Sequence, residues 1–306
     1  MDTGGIGETK WLAGLSRLSG AATRQLMSIY GSARSAWEAE EPDLVRKVGR
    51  KITGQLVAAR RDTDLDRLVA ELADQGVALT AVATDSRLRS LAEIRDAPVA
   101  VFVRGLLAGE GPAVAIVGSR GATVPGCLLA ERTSFELAKA GVSVVSGAAR
   151  GIDTSAHRGA LAGGGHTVAV LGCGLDVVYP PENRMLLAKI AGQGAVISEY
   201  PLGTEVRPYH FPARNRIISG LAQAVVVVEA ALNSGAMITV DLALEQGKEV
   251  LAFPGSVRSS VSKGVHRLIK EGAHLVEDAD DILEVIGFVR PTPAQVDDLS
   301  GNERDL

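Results

Sequence analysis

Four short segments of the chain combine glycine, hydroxyl and guanidinium groups in patterns that suit a phosphate-bearing ligand. Gly118-Ser119-Arg120 ends the apolar run Val114–Val117 and is followed by Pro125 near a predicted helix start. The amides of such a turn and the positive end of the helix can hold phosphate oxygens. An ordinary strand-to-helix turn has the same composition, and the full Gly-x-Gly-x-x-Gly fingerprint of a dinucleotide site is missing. Ser146-Gly147-Ala148-Ala149-Arg150-Gly151-Ile152-Asp153 repeats the arrangement: Gly147 and Gly151 allow close backbone approach and Arg150 adds charge. Tyr209-His210-Phe211-Pro212-Ala213-Arg214-Asn215-Arg216 sets an aromatic beside closely spaced guanidiniums. A nucleic-acid single strand needs both, a face for its bases and charge for its phosphates. The competing reading puts Phe211 in the core and gives one arginine an internal ion pair. In the fourth segment, Glu229 to Thr239, the residues Ser234, Gly235 and Thr239 open a helix. They suit phosphate or hydroxyl contacts, and Ser234 suits a plain helix cap equally. Glu229 would repel a phosphate, so it is expected to orient Arg214 or Arg216.

No catalytic set assembles from these residues. Cys173, in Gly172-Cys173-Gly174, has no histidine at a meaningful spacing and reads as a small buried residue. Asp153 and His157 lie one helical turn apart, which alone suggests a metal pair; lacking a third ligand, they read as a helix cap and a solvated histidine. The expectation is a protein with no metal, no cofactor and no enzymatic activity.

The segments must be held by something rigid. From Val77 to Ile286, short β-branched runs alternate with helical stretches. The predicted strands are Ala78–Ala83, Val99–Val103, Val114–Val117, Val142–Val145, Thr167–Leu171, Ala195–Ser198, Ala224–Val228, Glu249–Phe253 and His274–Val276. This alternation predicts an α/β fold, an extended Rossmann-like open and mostly parallel sheet flanked by helices, over residues 76–287. All four segments then follow strands and meet at one sheet edge. Residues 1–75 read as a small all-helical module of two or three short helices with Trp11, Leu12, Leu26, Ile29, Tyr30 and Trp37 in its core. The charged stretch Arg46–Arg67 leads into a linker helix that stops at Gly76. Residues 288–306 lose periodicity, turn acidic and are expected to be disordered.

Composition agrees with this layout. Apolar residues make up 46% of the 306, aromatics only 4%, and glycine occurs 35 times, which suits packed strand, turn and helix units. The formal charge of −4 argues against coating nucleic acid over the whole surface. From Glu277 on, nine acidic residues face only Arg290 and Arg304, giving −7, so residues 1–276 carry +3 and any polyanion site is local. No apolar run is long enough for a membrane span, no signal-peptide pattern opens the sequence, and two cysteines form no framework. A cytoplasmic location is expected.

In order along the chain, Gly118-Ser119-Arg120, Ser146 to Asp153, Tyr179-Pro180-Pro181-Glu182-Asn183-Arg184, Ser198-Glu199-Tyr200-Pro201, Phe211 to Arg216, Ser234-Gly235 with Thr239, and Pro254-Gly255 resemble the motifs of the DNA-processing protein A (DprA/Smf) family. The resemblance spans roughly residues 100–287, and the N-terminal helices are similar to the helix-hairpin-helix or sterile-alpha-motif-like module that often precedes it. It implies a protein that binds single-stranded DNA without sequence preference, forms a homodimer and loads RecA recombinase during natural transformation and recombination, with single-strand-binding protein as a further candidate partner. DNA contacts carry over to Gly118, Ser119, Arg120, Ser146, Gly147, Arg150, Phe211, Arg214, Asn215 and Arg216. The glycines and serines would cradle phosphate, the arginines pair with it, and Phe211 stack. The hairpin turn of the N-terminal module reads Gly20-Ala21-Ala22 where a second glycine is usual for backbone approach to phosphate, which argues against DNA binding by that module. Two readings of other classes stay open: a nucleotide-processing phosphoribohydrolase, though its Pro-Gly-Gly-x-Gly-Thr run is missing, and a protein-binding adaptor.

Overall fold

The computed structural model describes residues 4–289. Its first five helices are α1 (Gly4–Leu15), α2 (Gly20–Tyr30), α3 (Ala33–Glu38), α4 (Glu41–Asp62) and α5 (Leu65–Asp74). Ser19 and Ser32 cap α2 and α3 by accepting from the amides of Ala22 and Ser35, and Gly31, at φ 75°, ends α2. Leu12, Leu26, Trp37, Leu44 and Leu56 form the buried centre of this module, with Trp11 and Tyr30 half-buried around it. Ile29, expected in that core, is exposed: the inward stripe of α2 runs through Ala22, Thr23, Leu26, Met27 and Tyr30 and leaves Ile29 at its margin. The charged stretch is also more than a linker. It folds as two helices, and α4, kinked at Gly49, buries Leu44, Val48, Thr53 and Leu56.

Beyond them come β1 (Ala78–Ala81), α6 (Arg89–Ala92), β2 (Ala100–Gly105), β3 (Ala113–Val117), α7 (Val124–Lys139), β4 (Ser143–Ser146), α8 (Ile152–Ala162) and β5 (Thr167–Leu171). They are followed by α9 (Arg184–Gln193), β6 (Ala195–Ser198), α10 (His210–Gly220), β7 (Ala224–Val227), α11 (Gly235–Glu245), β8 (Glu249–Ala252), α12 (Lys263–Lys270), β9 (His274–Leu275) and α13 (Ala279–Val285). All nine predicted strands are present, with ends moved by a residue or two. They form one sheet in the order β1-β2-β6-β5-β4-β3-β7-β8-β9, parallel from β6 to β9, with β2 antiparallel to β6 and β1 antiparallel to β2.

Side chains alternate across this sheet as a two-residue period demands. Val114 and Ile116 of β3 pack with Ala130, Ile152 and Ala156 beneath α7 and α8. Ala115 and Val117 pack on the opposite face with Ile217, Ile218 and Val240 from α10 and α11. Both faces are covered, so the central strands read as unbroken apolar runs. A further core joins Ala13 and Leu72 of the N-terminal helices to Phe102, Leu171, Ile190 and Val196, seating the module at the β1-β2-β6 end. Of the expected disordered tail, Phe288 packs half-buried beside α13, and residues 290–306 lie outside the described residues.

Helices α7 and α8 approach very closely. A Cβ on Gly159 would run into the carbonyl oxygen of Glu131, and one on Gly163 would sit 2.6 Å from that of Phe135. His157, on the same helix, is fully buried rather than solvated. Its Nδ1 lies 2.8 Å from Thr167 Oγ1, which itself donates to the Val144 carbonyl, so the ring N–H is the donor. Burial pushes the His157 pKa down to about 3, with the nearby Arg214 charge adding to the effect.

Two stability predictions follow from this packing. Gly159→Ala forces backbone apart and should lower the urea-unfolding free energy by about 1–3 kcal/mol. His157 stays neutral in the folded state, while the unfolded side chain takes up a proton near 6.5. Its contribution is therefore complete above pH 6.5 and is lost as pH falls toward 3. Urea melts of wild type should lose up to about 1.4 kcal/mol per pH unit more than His157→Gln across that window. Parallel profiles would refute the assignment.

Candidate functional site

The chain order within the sheet reverses at β3. From there it runs through β4, β5 and β6 on one side, then returns to β7 on the other. Loops leaving the carboxyl ends of β3 and β7 part in opposite directions and leave a crevice, the usual place for a ligand in an open α/β sheet. A cavity of about 710 Å³ opens there. Six residues expected at the site line it: Gly118, Ser119, Arg120, Phe211, Arg214 and Asn215. Ser234, Gly235 and Thr239 from the start of α11 join them.

The two sides of the crevice are tied together. The Ser119 amide donates to the Glu229 carbonyl at 2.7 Å. The Glu229 carboxylate accepts from the Thr123 amide at 2.8 Å and from its hydroxyl at 2.6 Å. Thr123 in turn caps α7 by accepting from the Gly126 amide. Glu229 therefore does not orient Arg214 or Arg216, as its charge suggested; it reaches across the switch point instead. Gly118 must be glycine, since a Cβ would lie 2.6 Å from Ile152.

Arg120 is exposed and has no ion-pair partner among the described residues; its guanidinium sits 5.1 Å from the centre of the Phe211 ring. Phe211 is half-buried and leans on Tyr179 at 5.5 Å, so the two rings form a shelf with a cation above it. Arg214 is different. It is 4% exposed, and its Nη1 donates to the carbonyls of Gly147, at 2.9 Å, and Val170. Burial lowers its pKa to about 10, which leaves it charged at neutral pH, and the neighbouring Asp153 favours that charge. Burial raises the Asp153 carboxyl, while Arg214 and the Ala149 amide, 3.3 Å away, pull it back. Asn183 completes the frame: its Nδ2 donates to the Ala148 carbonyl at 2.9 Å and to Thr154 Oγ1 at 2.8 Å. It thereby holds Ala148 at φ 52°, a left-handed conformation that costs a non-glycine residue about 1–2 kcal/mol.

Four expected contacts are not in the cavity wall. Ser146 is buried and donates to the Ile116 carbonyl at 2.7 Å, and Gly147 is buried against Arg214 and Asp153. Arg150 is exposed but engaged by Glu182 through two hydrogen bonds. Arg216 points to the other side of α10, where both Glu199 oxygens accept from its Nη2 at 2.8 Å. The four guanidiniums thus do not share one groove: Arg120 and Arg214 do, and only Arg120 is exposed there. Ser234 caps α11 by accepting from the Ala236 amide while also lining the cavity. Tyr179, Pro208 and Ile238, which are not among the expected contacts, also line it. Tyr179 opens the Tyr-Pro-Pro-Glu-Asn-Arg motif, the one signal that pointed there. Cys173 is buried, as expected, and burial pushes its thiol up to about 11. Asp153 and His157 belong to no metal-ligand cluster among the described residues.

Comparison with known proteins agrees with this geometry. The DNA processing protein DprA of Streptococcus pneumoniae is 47% identical over 199 residues, covering 65% of this chain and 70% of that one. Protein Smf of Synechocystis is 35% identical over 273 residues, covering 87% and 69%. Protein Smf of Escherichia coli is 47% identical over 195 residues, and the match spans 52% of its length. The crystal structure of Streptococcus pneumoniae DprA superposes with a TM-score of 0.80 at 36% identity, covering 90% of this chain and 97% of that one. DNA processing protein A of Helicobacter pylori, described for its single-stranded DNA binding mode, superposes with a TM-score of 0.59 at 28% identity over 65% of this chain and 91% of that one. No helix among the described residues is long and apolar enough to cross a membrane. Since residues 80–287 match the family described as DNA recombination-mediator protein A, with the cleft built from that same span, the chain belongs to that family.

Proposed function

We propose that the chain binds single-stranded DNA without sequence preference in the cleft between β3 and β7 and loads RecA recombinase onto it. It acts as a non-enzymatic, cytoplasmic homodimer in recombination and natural transformation. The observation that carries the DNA reading is Arg120, an unpaired cation above the Phe211–Tyr179 shelf, in a chain of net charge −4. Stacking on an aromatic face tolerates any base, and a guanidinium neutralises phosphate in any sequence. The Helicobacter pylori relative, described for binding single-stranded DNA, supports the same reading. Recombinase loading is supported by membership of a family described as recombination mediators.

Gly118, Ser119 and Asn215 complete the contact surface. Arg214 positions it rather than touching phosphate, because it is buried and its Nη1 is held by two backbone carbonyls. Arg150 contacts phosphate only after leaving Glu182. Ser146 and Gly147 act by shaping the loop, and Arg216 by anchoring α10.

Salt-titrated fluorescence anisotropy with single-stranded and duplex oligonucleotides tests the binding. Arg120→Ala should weaken single-strand affinity about tenfold and reduce the slope of log K against log salt by roughly 0.7, with the melting temperature unchanged. Arg214→Ala should lose affinity and stability together, since it leaves Asp153 buried without its counter-charge. Equal affinity of wild type and Arg120→Ala would sink the reading. Loading is tested by RecA filament formation on strands covered with single-strand-binding protein: wild type should accelerate it and Arg120→Ala should not.

A further inference from the structure

Helix α10 is a partition between two cavities. Phe211, Arg214 and Asn215 face the cleft already described, while Tyr209, His210 and Arg216 face a second cavity of about 640 Å³. Its far wall is the turn between α1 and α2, with Arg17 and Ser19, and the start of α2, with Arg24. This cavity therefore lies at the seam between the N-terminal helices and the sheet.

Its chemistry repeats that of the first. Tyr200 stacks on His210 at 4.1 Å, and Tyr209 meets the same imidazole edge-on at 4.7 Å. Tyr209 is 64% exposed, an open ring held in place by its neighbours. The charges sort into pairs with one left over. Glu199 is taken by Arg216 at 2.8 Å and Asp96 by Arg24 at 3.6 Å, while Arg17 is exposed and has no ion-pair partner among the described residues. An aromatic platform with a single free guanidinium is what the first cleft also presents.

We propose that the second cavity is a stacking subsite for the same DNA single strand, with Tyr209 as the platform for a base and Arg17 as the contact for a phosphate. The inference rests on the binding reading above and extends it to the N-terminal helices. The two cavities are separated by one helix, about 10 Å across, and the exposed residues just before α10, Pro208 and Tyr209, are the ridge between them. A strand that stacks on Phe211 crosses that ridge to reach Tyr209. The turn of the N-terminal module then acts through the Arg17 side chain, without needing the backbone approach that a second glycine would allow.

The test is anisotropy on the full chain with thymidylate oligomers of about 2 and about 12 nucleotides: at roughly 3.4 Å or more per nucleotide the shorter occupies one cavity without crossing the helix, and the longer spans both. Tyr209→Ala should weaken the longer oligomer about tenfold, the worth of one stacked base, and leave the shorter within about twofold; Tyr209→Phe should behave as wild type. Arg17→Ala should lower the salt slope by about 0.7 for the longer oligomer alone. Wild-type affinity of Tyr209→Ala for the longer oligomer, an equal loss at both lengths, or an unchanged slope in Arg17→Ala would overturn the subsite. Each of those outcomes leaves the Arg120 dependence of the first cleft standing. Failure of wild type to bind either oligomer would instead overturn the binding reading itself.

Discussion

The buried guanidinium of Arg214 is the constraint around which the edge of the sheet is arranged. A cation removed from water must be met by protein groups, and here they are the carbonyls of Gly147 and Val170 and the neighbouring Asp153. Those partners come from the ends of β4 and β5 and from the start of α8, so one side chain fixes α10 against three other elements. The cost appears in local sequence. Position 147 has no room for a side chain, since a Cβ there would lie 2.7 Å from the guanidinium and 2.8 Å from Asp153. Phe211, three residues earlier and thus on the same side of the helix, is held at the cleft by that anchoring.

A second anchor acts across the crevice. Open α/β sheets leave a gap at the point where chain order reverses, and a gap lined by loops would splay without a tie. Glu229 supplies one by accepting from the Thr123 amide and hydroxyl, which also fixes the start of α7. With its carboxylate engaged there, Glu229 does not neutralise Arg120, and the cleft keeps an accessible positive charge. The opposite solution operates at Arg216, where both Glu199 oxygens accept from its Nη2. Identical residue types thus serve binding, at Arg120, and anchoring, at Arg216, according to where the carboxylates lie.

That contrast marks where the sequence could be read and where it could not. Strands such as Val114–Val117 and Ala224–Val227 are apolar on every residue because both faces are covered, and such runs between helical stretches are unambiguous. The gathering of loops at one edge follows from parallel topology and was legible as well. Which arginine faces the cleft was harder. Positions 214 and 216 differ by about 200° around a helix, so geometry alone sets them on opposite sides, a signal available in the spacing but outweighed by their closeness in sequence. Their partners were not visible at all: Glu199 and the carbonyl of Asp96 lie 17 and 120 residues away from Arg216. The burial of His157 was hidden for a related reason. It faces the sheet rather than solvent, with its Nδ1 2.8 Å from Thr167 Oγ1 on β5, a partner that helical spacing does not reveal.

Charge and stacking divide the work of recognition under the proposed function. At physiological salt the screening length is about 8 Å, so acidic side chains farther away than that are largely unseen by a strand seated beside Arg120 or Arg17. One free guanidinium at each place attracts phosphate without regard to strandedness. The rings are what distinguish the strands. Phe211 and Tyr209 can stack only on a base that is not already stacked and paired, and a duplex offers such a base only at its ends. Preference for single strands is therefore a property of the aromatic shelves on the two sides of α10. The net negative charge is thus compatible with DNA binding, and it keeps binding confined to the places where a ring and a cation occur together.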